Sequence, residues 1–201
     1  MKEIVINTQS SIKIGNIYFD PFKIEKESHD ASFIFITHSH FDHFDLDSIN
    51  KVKNDNTVII IPDDKEIKEK LSNYQVAYPN TKYEFNNLII ETVPSYNINK
   101  SFHPKDNNWL GYIITIDNLR YYIMGDSDIT PESMSVRCDY LFIPIGGYYT
   151  MDYKEASELT NIIKPKIVFP THFGSIIGDK EDFNKFKNLV DNNIEVINKL
   201  Y

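Results

Sequence analysis

The chain has 201 residues, of which 41% are hydrophobic and 25% charged, and it carries a formal net charge of −8. These values exclude a disordered or collagen-like chain and suit one domain spanning 1–201. An acidic chain with no basic block, no apolar run of membrane-spanning length, no apolar leader and a single cysteine, Cys138, argues against long nucleic acids as partners, a membrane span, a secretory signal and a disulfide or Cys-built zinc framework, and makes the cytoplasm the expected compartment.

The apolar runs are short and rich in Ile, Val, Phe and Tyr. Ile4–Ile6, Ser11–Ile14 and Ile17–Phe19 predict strands, with Gly15-Asn16 as the hairpin turn between the last two. Ser32–Thr37 reads as a strand covered on both faces. Val58–Ile61 is another, followed by Pro62-Asp63-Asp64, where an aspartate can cap a helix over about Lys65–Asn73. Leu88–Val93, Gly111–Ile116, Tyr121–Met124, Tyr140–Ile145 and Ile167–Phe169 complete the predicted strands. Thr130-Pro131-Glu132 reads as a helix start. Tyr153, Ala156, Leu159 and Ile163 recur at helical spacing, as do Phe183, Phe186 and Val190. Strands dominate the first two thirds and alternate with helices in the last, a pattern that fits two packed sheets with helices outside, a four-layer αββα sandwich.

The segment Thr37-His38-Ser39-His40-Phe41-Asp42-His43 follows the buried strand. Alternate side chains of an extended segment share a side, so His38 and His40 project together, and Asp42 and His43 can face the same point from the turn that follows. Neutral imidazole with carboxylate is the ligand set of a catalytic zinc or related divalent ion, whereas a structural zinc draws on cysteine. His29, alone in a polar turn, reads as a surface residue, and Cys138 as a small buried hydrophobe.

The His-x-His-x-Asp-His motif after a hydrophobic strand resembles the signature of the metallo-β-lactamase superfamily. Three further motifs resemble its lactonase-like hydrolase branch, which includes L-ascorbate-6-phosphate lactonase-type proteins. They are Ile17-Tyr18-Phe19-Asp20-Pro21-Phe22, Tyr121 to Asp128 around Gly125-Asp126, and Pro170-Thr171-His172-Phe173-Gly174. The resemblance implies the αββα fold with metals at one edge. It places His38, His40 and a third histidine on a first ion, Asp42, His43 and His172 on a second, and Asp126 between them. The third histidine departs from the pattern, because Asn97 stands where many relatives have it. His103, in Phe102-His103-Pro104-Lys105, is the expected substitute, with Pro104 holding it extended; Asn97 as an oxygen ligand or substrate-orienting group is the alternative.

The expected cofactor is Zn2+, two ions, with Mn2+ or Fe2+ also compatible with the donors. Two such ions can share a hydroxide and lower its pKa to about 7. Asp42 and Asp126 are the expected catalytic residues, Asp42 orienting the nucleophile and Asp126 passing a proton to the leaving group. The expected function is a metal-dependent hydrolase acting on a small ester, lactone or phosphodiester. A nuclease or RNA-processing phosphodiesterase of the same fold and a catalytically degenerate metal-binding protein are the alternatives. Gly146-Gly147-Tyr148-Tyr149-Thr150 can line a cleft or form a tight loop before a Thr150-capped helix. Lys100 and Lys105, flanking His103, can attract an anionic substrate or be plain solvated loop lysines.

Overall fold

The computed structural model describes residues 2–85 and 88–200. Among them, two sheets are formed. The first contains β1 (Ile4–Ile6), β2 (Ile12–Ile14), β3 (Ile17–Phe19), β4 (Phe33–Phe35), β5 (Val58–Pro62) and β6 (Tyr74–Ala77), in that spatial order. Its first three strands are antiparallel, with Gly15-Asn16 joining Ile14 to its partner Ile17. From β3 onward the strands are parallel.

The second sheet contains β7 (Lys82–Phe85), β8 (Leu88–Pro94), β9 (Leu110–Ile116), β10 (Leu119–Ile123), β11 (Tyr140–Pro144), β12 (Ile167–Thr171) and the two-residue β13 (Glu195–Val196). β7 to β10 form an antiparallel meander, and β10 to β13 run parallel.

Side-chain alternation then builds the layers. Phe19, Phe35 and Ile60 of the first sheet meet Leu110, Tyr112, Tyr121, Phe142 and Phe169 of the second in the central core. Alternate residues face outward and are also buried. Ile34, Ile36, Ile59 and Ile61 pack under α1 (Leu46–Val52) and α2 (Lys65–Lys70). Tyr122, Leu141, Ile143 and Val168 pack under α4 (Tyr153–Ile163) and α5 (Asp182–Leu189). Each strand with apolar residues on both faces is thus sandwiched between a sheet and a helix layer, and the αββα architecture follows.

Helix ends follow local chemistry. Asp64 accepts a hydrogen bond from the Ile67 amide and caps α2, and Thr130 and Ser133 form a capping box at α3 (Pro131–Ser135). α2 stops at Lys70, short of the expected Asn73, because Leu71 leaves helical geometry to bury its side chain. α4 is capped by Asp152 in a capping box with Glu155, correcting the expectation of Thr150. The Thr150 side chain is buried, whereas Asp152 reaches the amides of Lys154 and Glu155. No helix among the described residues is long and apolar enough to cross a membrane.

Candidate metal centre

The site forms where both sheets end at one edge. Beyond β4 the chain runs through Ile36 and Thr37, whose carbonyl accepts from the Leu110 amide and so ties this exit to the second sheet. Residues 38–43 then turn tightly, with the His43 and Phe44 amides both donating to the His40 carbonyl. The turn brings the His38 and His40 rings edge to face, with Nε2 of His38 3.1 Å from Nδ1 of His40, and swings His43 back beside His38.

Three segments of the second sheet complete the cluster. Asp126 follows β10 through Gly125, which adopts φ +67 against Thr37, Ser95 and Leu110, a conformation suited to glycine. His172 follows β12 with φ +55 and donates its amide to the Gln9 carbonyl. A Cβ on Gly146 would lie 2.2 Å from the His172 carbonyl oxygen, so the missing side chain lets the two backbones pack. His103 arrives on the loop between β8 and β9, which the Asn97 amide closes by donating to the His103 carbonyl at 2.8 Å. The expectation that Pro104 holds His103 extended is incorrect. Its φ is +59, because this closing hydrogen bond turns the chain at His103 and overrides the local preference.

Buried carboxylates and imidazoles converge at short range. Nε2 of His103 lies 3.4 Å, and Nε2 of His172 3.2 Å, from Oδ2 of Asp126. Nε2 of His43 lies 3.4 Å from its Oδ1, and His38 approaches Asp126 at 4.0 Å. Asp42 stands 3.2 Å from His172 and 3.9 Å from His43. Among the described residues, the possible donor atoms gather into three overlapping sets within 4.8 Å, namely His38/His40/His103, His38/His43/Asp126 and Asp42/His43/His172.

Despite this proximity, Nε2 of His43, His103 and His172 and Oδ1 of Asp126 are buried without a hydrogen-bond partner among the described residues. Buried polar atoms without partners are costly. Unpartnered donors this close together, in an all-imidazole and carboxylate set, fit one or two divalent cations. The Asn97 carboxamide lies 3.2 Å from Nδ1 of His103, the ring edge away from Asp126, and donates to the Tyr149 carbonyl at 2.6 Å.

The electrostatics reflect this crowding. Burial and the neighbouring His43 hold His38 well below the usual histidine value, and burial and His103 lower His40. Burial would also lower His43, but Asp126 and Asp20 outweigh it and raise it well above that value. Burial opposes ionisation of Asp126, yet His172 and His43 bring it well below the carboxylate range. Asp42 is lowered too, its burial outweighed by His172 and His43.

Asp20 is a residue whose role the sequence leaves hidden. It is fully buried, and its carboxylate accepts from the Thr37 amide at 2.8 Å, the Thr37 hydroxyl at 2.7 Å and Nδ1 of His43 at 2.7 Å. The Thr37 hydroxyl is also 2.9 Å from Nδ1 of His38. One carboxylate thereby fixes which nitrogen of His43 faces the centre, the carboxylate–histidine arrangement common around metals. The Asp20-Pro21-Phe22 motif is the one sequence signal for it. Trp109 is a second unanticipated neighbour, with its ring 4.8 Å from His38 and 4.9 Å from His40 and its indole N–H on Asp64.

The peripheral residues also resolve. Lys100 pairs with Asp128, and Lys105 with Glu132 and the Tyr96 hydroxyl. Tyr149 lines the cavity above the centre, whereas Tyr148 is exposed. His29 is exposed, away from the cluster, bonded to the Lys53 carbonyl. Cys138 is half-buried against the outer core, and burial pushes its thiol up to about 12.

Comparison with known proteins places this geometry in context. Residues 11–172 match the beta-lactamase superfamily domain. The UPF0173 metal-dependent hydrolase of Archaeoglobus fulgidus is 26% identical, covering 90% of this chain and 87% of its own. A crystal structure described as a metal-dependent hydrolase from Parabacteroides distasonis is 29% identical and superimposes with a TM-score of 0.83, covering 98% of this chain and 93% of that one. A metallo hydrolase from Ignicoccus hospitalis, 22% identical, shares the fold with a TM-score of 0.75, covering 98% of this chain and 94% of the other.

Proposed function

This chain belongs to the beta-lactamase superfamily, and from that premise we propose that it is a metal-dependent hydrolase of a small ester, lactone or phosphodiester, working with two divalent ions, zinc or else manganese or iron. The observation that carries the reading is the gathering of buried, unpartnered imidazole nitrogens and a carboxylate oxygen from both sheets into overlapping donor sets. His38, His40 and His103 would hold one ion, Asp42, His43 and His172 the other, and Asp126 both. Asn97 would support His103 from behind rather than serve as a ligand. When bound, such ions lower the pKa of water and polarise a carbonyl or phosphoryl oxygen.

The remaining work falls to the chain. Asp42, on the cavity wall, orients the attacking water. Asp126, whose ionised form His172 and His43 favour, accepts a proton and delivers it to the leaving oxygen. Asp20 keeps the His43 ring in one orientation through the reaction, so no side chain must reorganise. His40, Asp42, His103, Asp126 and His172 line the cavity, so the reacting bond would sit against them.

The test is elemental analysis of the purified protein together with hydrolysis of a panel of neutral lactones, aryl esters and phosphodiesters. Close to two divalent ions per chain and turnover of at least one class are expected. Asp42→Ala should keep the fold and lower turnover by roughly 10²-fold or more. A protein that takes up neither zinc nor manganese, or that hydrolyses none of the panel when supplied with them, refutes the reading.

A further inference from the structure

The cavity above the centre has a volume of about 240 Å³, small for a ligand site. Its polar lining consists of His40, Asp42, His103, Asp126 and His172, all of them proposed ligands. The rest of the lining is Phe41, Phe102, Tyr149, Ile176 and Ile177. Once the five donors are committed, the Tyr149 hydroxyl is the only other side-chain polar group that the described residues place on this lining.

Two features sharpen the contrast. Phe102 packs edge to face on Tyr149 at 4.5 Å, which gives the wall a fixed shape. Phe41 is 66% and Ile176 46% exposed, so the mouth presents apolar surface to solvent, as ligand-binding grooves do. The candidate cations point elsewhere. Lys100 is held by Asp128 and lies 3.7 Å from Glu155, and Lys105 is held by Glu132. Among the described residues, no lysine or arginine lines this cavity.

Resting on the hydrolase reading above, we infer that the substrate is a compact, uncharged ester or lactone whose acyl or alkyl group is apolar and packs against Phe41, Phe102, Tyr149, Ile176 and Ile177. A phosphorylated or polyhydroxylated substrate would find no counter-charge on this wall and one side-chain hydrogen-bonding group at most, the Tyr149 hydroxyl. It would lose its hydration there without compensation.

The wall can be read by binding, apart from turnover. Alkyl hydroxamates chelate divalent ions through a common head group, and their tails would lie on the wall. With the zinc-loaded protein in a calorimeter, each added methylene should tighten binding about two- to fourfold. Hexanohydroxamate should therefore bind at least tenfold more tightly than acetohydroxamate. Succinomonohydroxamate, whose tail ends in a carboxylate, should bind at least tenfold more weakly than butyrohydroxamate. Ile176→Asp, at an exposed position where the fold tolerates a charge, should abolish the gain with chain length. Affinities independent of chain length, tighter binding of the anionic tail, or no hydroxamate binding would each overturn the inference. The hydrolysis panel separates the two readings. Failure to turn over any compound refutes the hydrolase, while the hydroxamate order still decides what the wall prefers. Turnover of the panel, extended by a phosphorylated lactone, with that compound preferred over its alkyl counterparts leaves the hydrolase standing and refutes the apolar substrate.

Discussion

Replacing Asp20 by asparagine isolates what a residue outside the cavity contributes to the centre. Asparagine is nearly isosteric and, like aspartate, tolerates the left-handed backbone found here, where φ is +44. The change is thus confined to one charge and one acceptor. In the native protein the carboxylate serves three donors, the Thr37 amide, the Thr37 hydroxyl and Nδ1–H of His43. An amide offers a single acceptor oxygen, so its NH2 must face at least one of these donors inside a site with no exposed surface. Losing a charge-assisted hydrogen bond and leaving a buried donor opposed costs about 3 kcal/mol. For a domain of this length that corresponds to a fall in melting temperature of roughly 6–12 °C. Even where the amide oxygen stays opposite Nδ1 of His43, the ring loses the charge that holds it, and affinity for the ion it would bind should drop, by about 10-fold and by up to about 100-fold where the NH2 faces the ring instead. Thermal unfolding in the presence of a chelator measures the first effect without metal, and zinc competition against a chromophoric chelator measures the second. An Asp20→Asn protein with wild-type melting temperature and wild-type zinc affinity would refute the assignment of Asp20 as the group that positions His43.

Two further predictions follow from named contacts. His103→Ala should lose about one ion per chain by elemental analysis, whereas Asn97→Ala, which removes a contact to the far edge of the ring, should retain both. Equal loss in the two variants would place Asn97 among the ligands. Asp30, outside the site, accepts from Lys13, Ser28 and Tyr18, and after the opposing effect of burial these bonds lower its pKa to about 2. Its folded value lies below the unfolded one, so its stabilisation is present above about pH 4 and is lost as pH falls from there through about 2. Because Asp30 is 38% exposed, screening reduces the effect, and Asp30→Asn should cost about 1 kcal/mol at pH 7 in urea unfolding. The difference from wild type should shrink towards zero near pH 2, and a difference constant with pH would be inconsistent with this origin.

The central strands were legible because apolar residues occupy both faces, as in β11, where all five residues are buried. β6 and β7 escaped notice because they pair at sheet edges and are only partly buried, which dilutes the period-two signal. α1 is seven residues long and buries only Ser48, Ile49 and Val52, too little for a helical period to emerge. The His-x-His-x-Asp-His cluster was legible because its members are sequence neighbours around a turn. Asp20 was not, since its contact with His43 spans 23 residues and forms only when β3 and β4 pair. His103 was legible as a residue but not as a conformation, because a hydrogen bond to Asn97 decides its backbone. The fate of Lys100 depended on Asp128, 28 residues away, and no local pattern carried that pairing.

The proposed donors are split across the seam of the sandwich. His38, His40, Asp42 and His43 leave the first sheet, and His103, Asp126 and His172 leave the second. Any cation held by both groups is therefore a rivet between layers that are otherwise joined at the centre by apolar side chains. The edge carrying the site would be the part most sensitive to demetallation. Hydrogen exchange at the Leu110 and His172 amides, which bond across the boundary to Thr37 and Gln9, would then quicken ahead of the aromatic interior. Loading with metal would also report that the whole chain has assembled, because neither sheet alone supplies a full set of ligands.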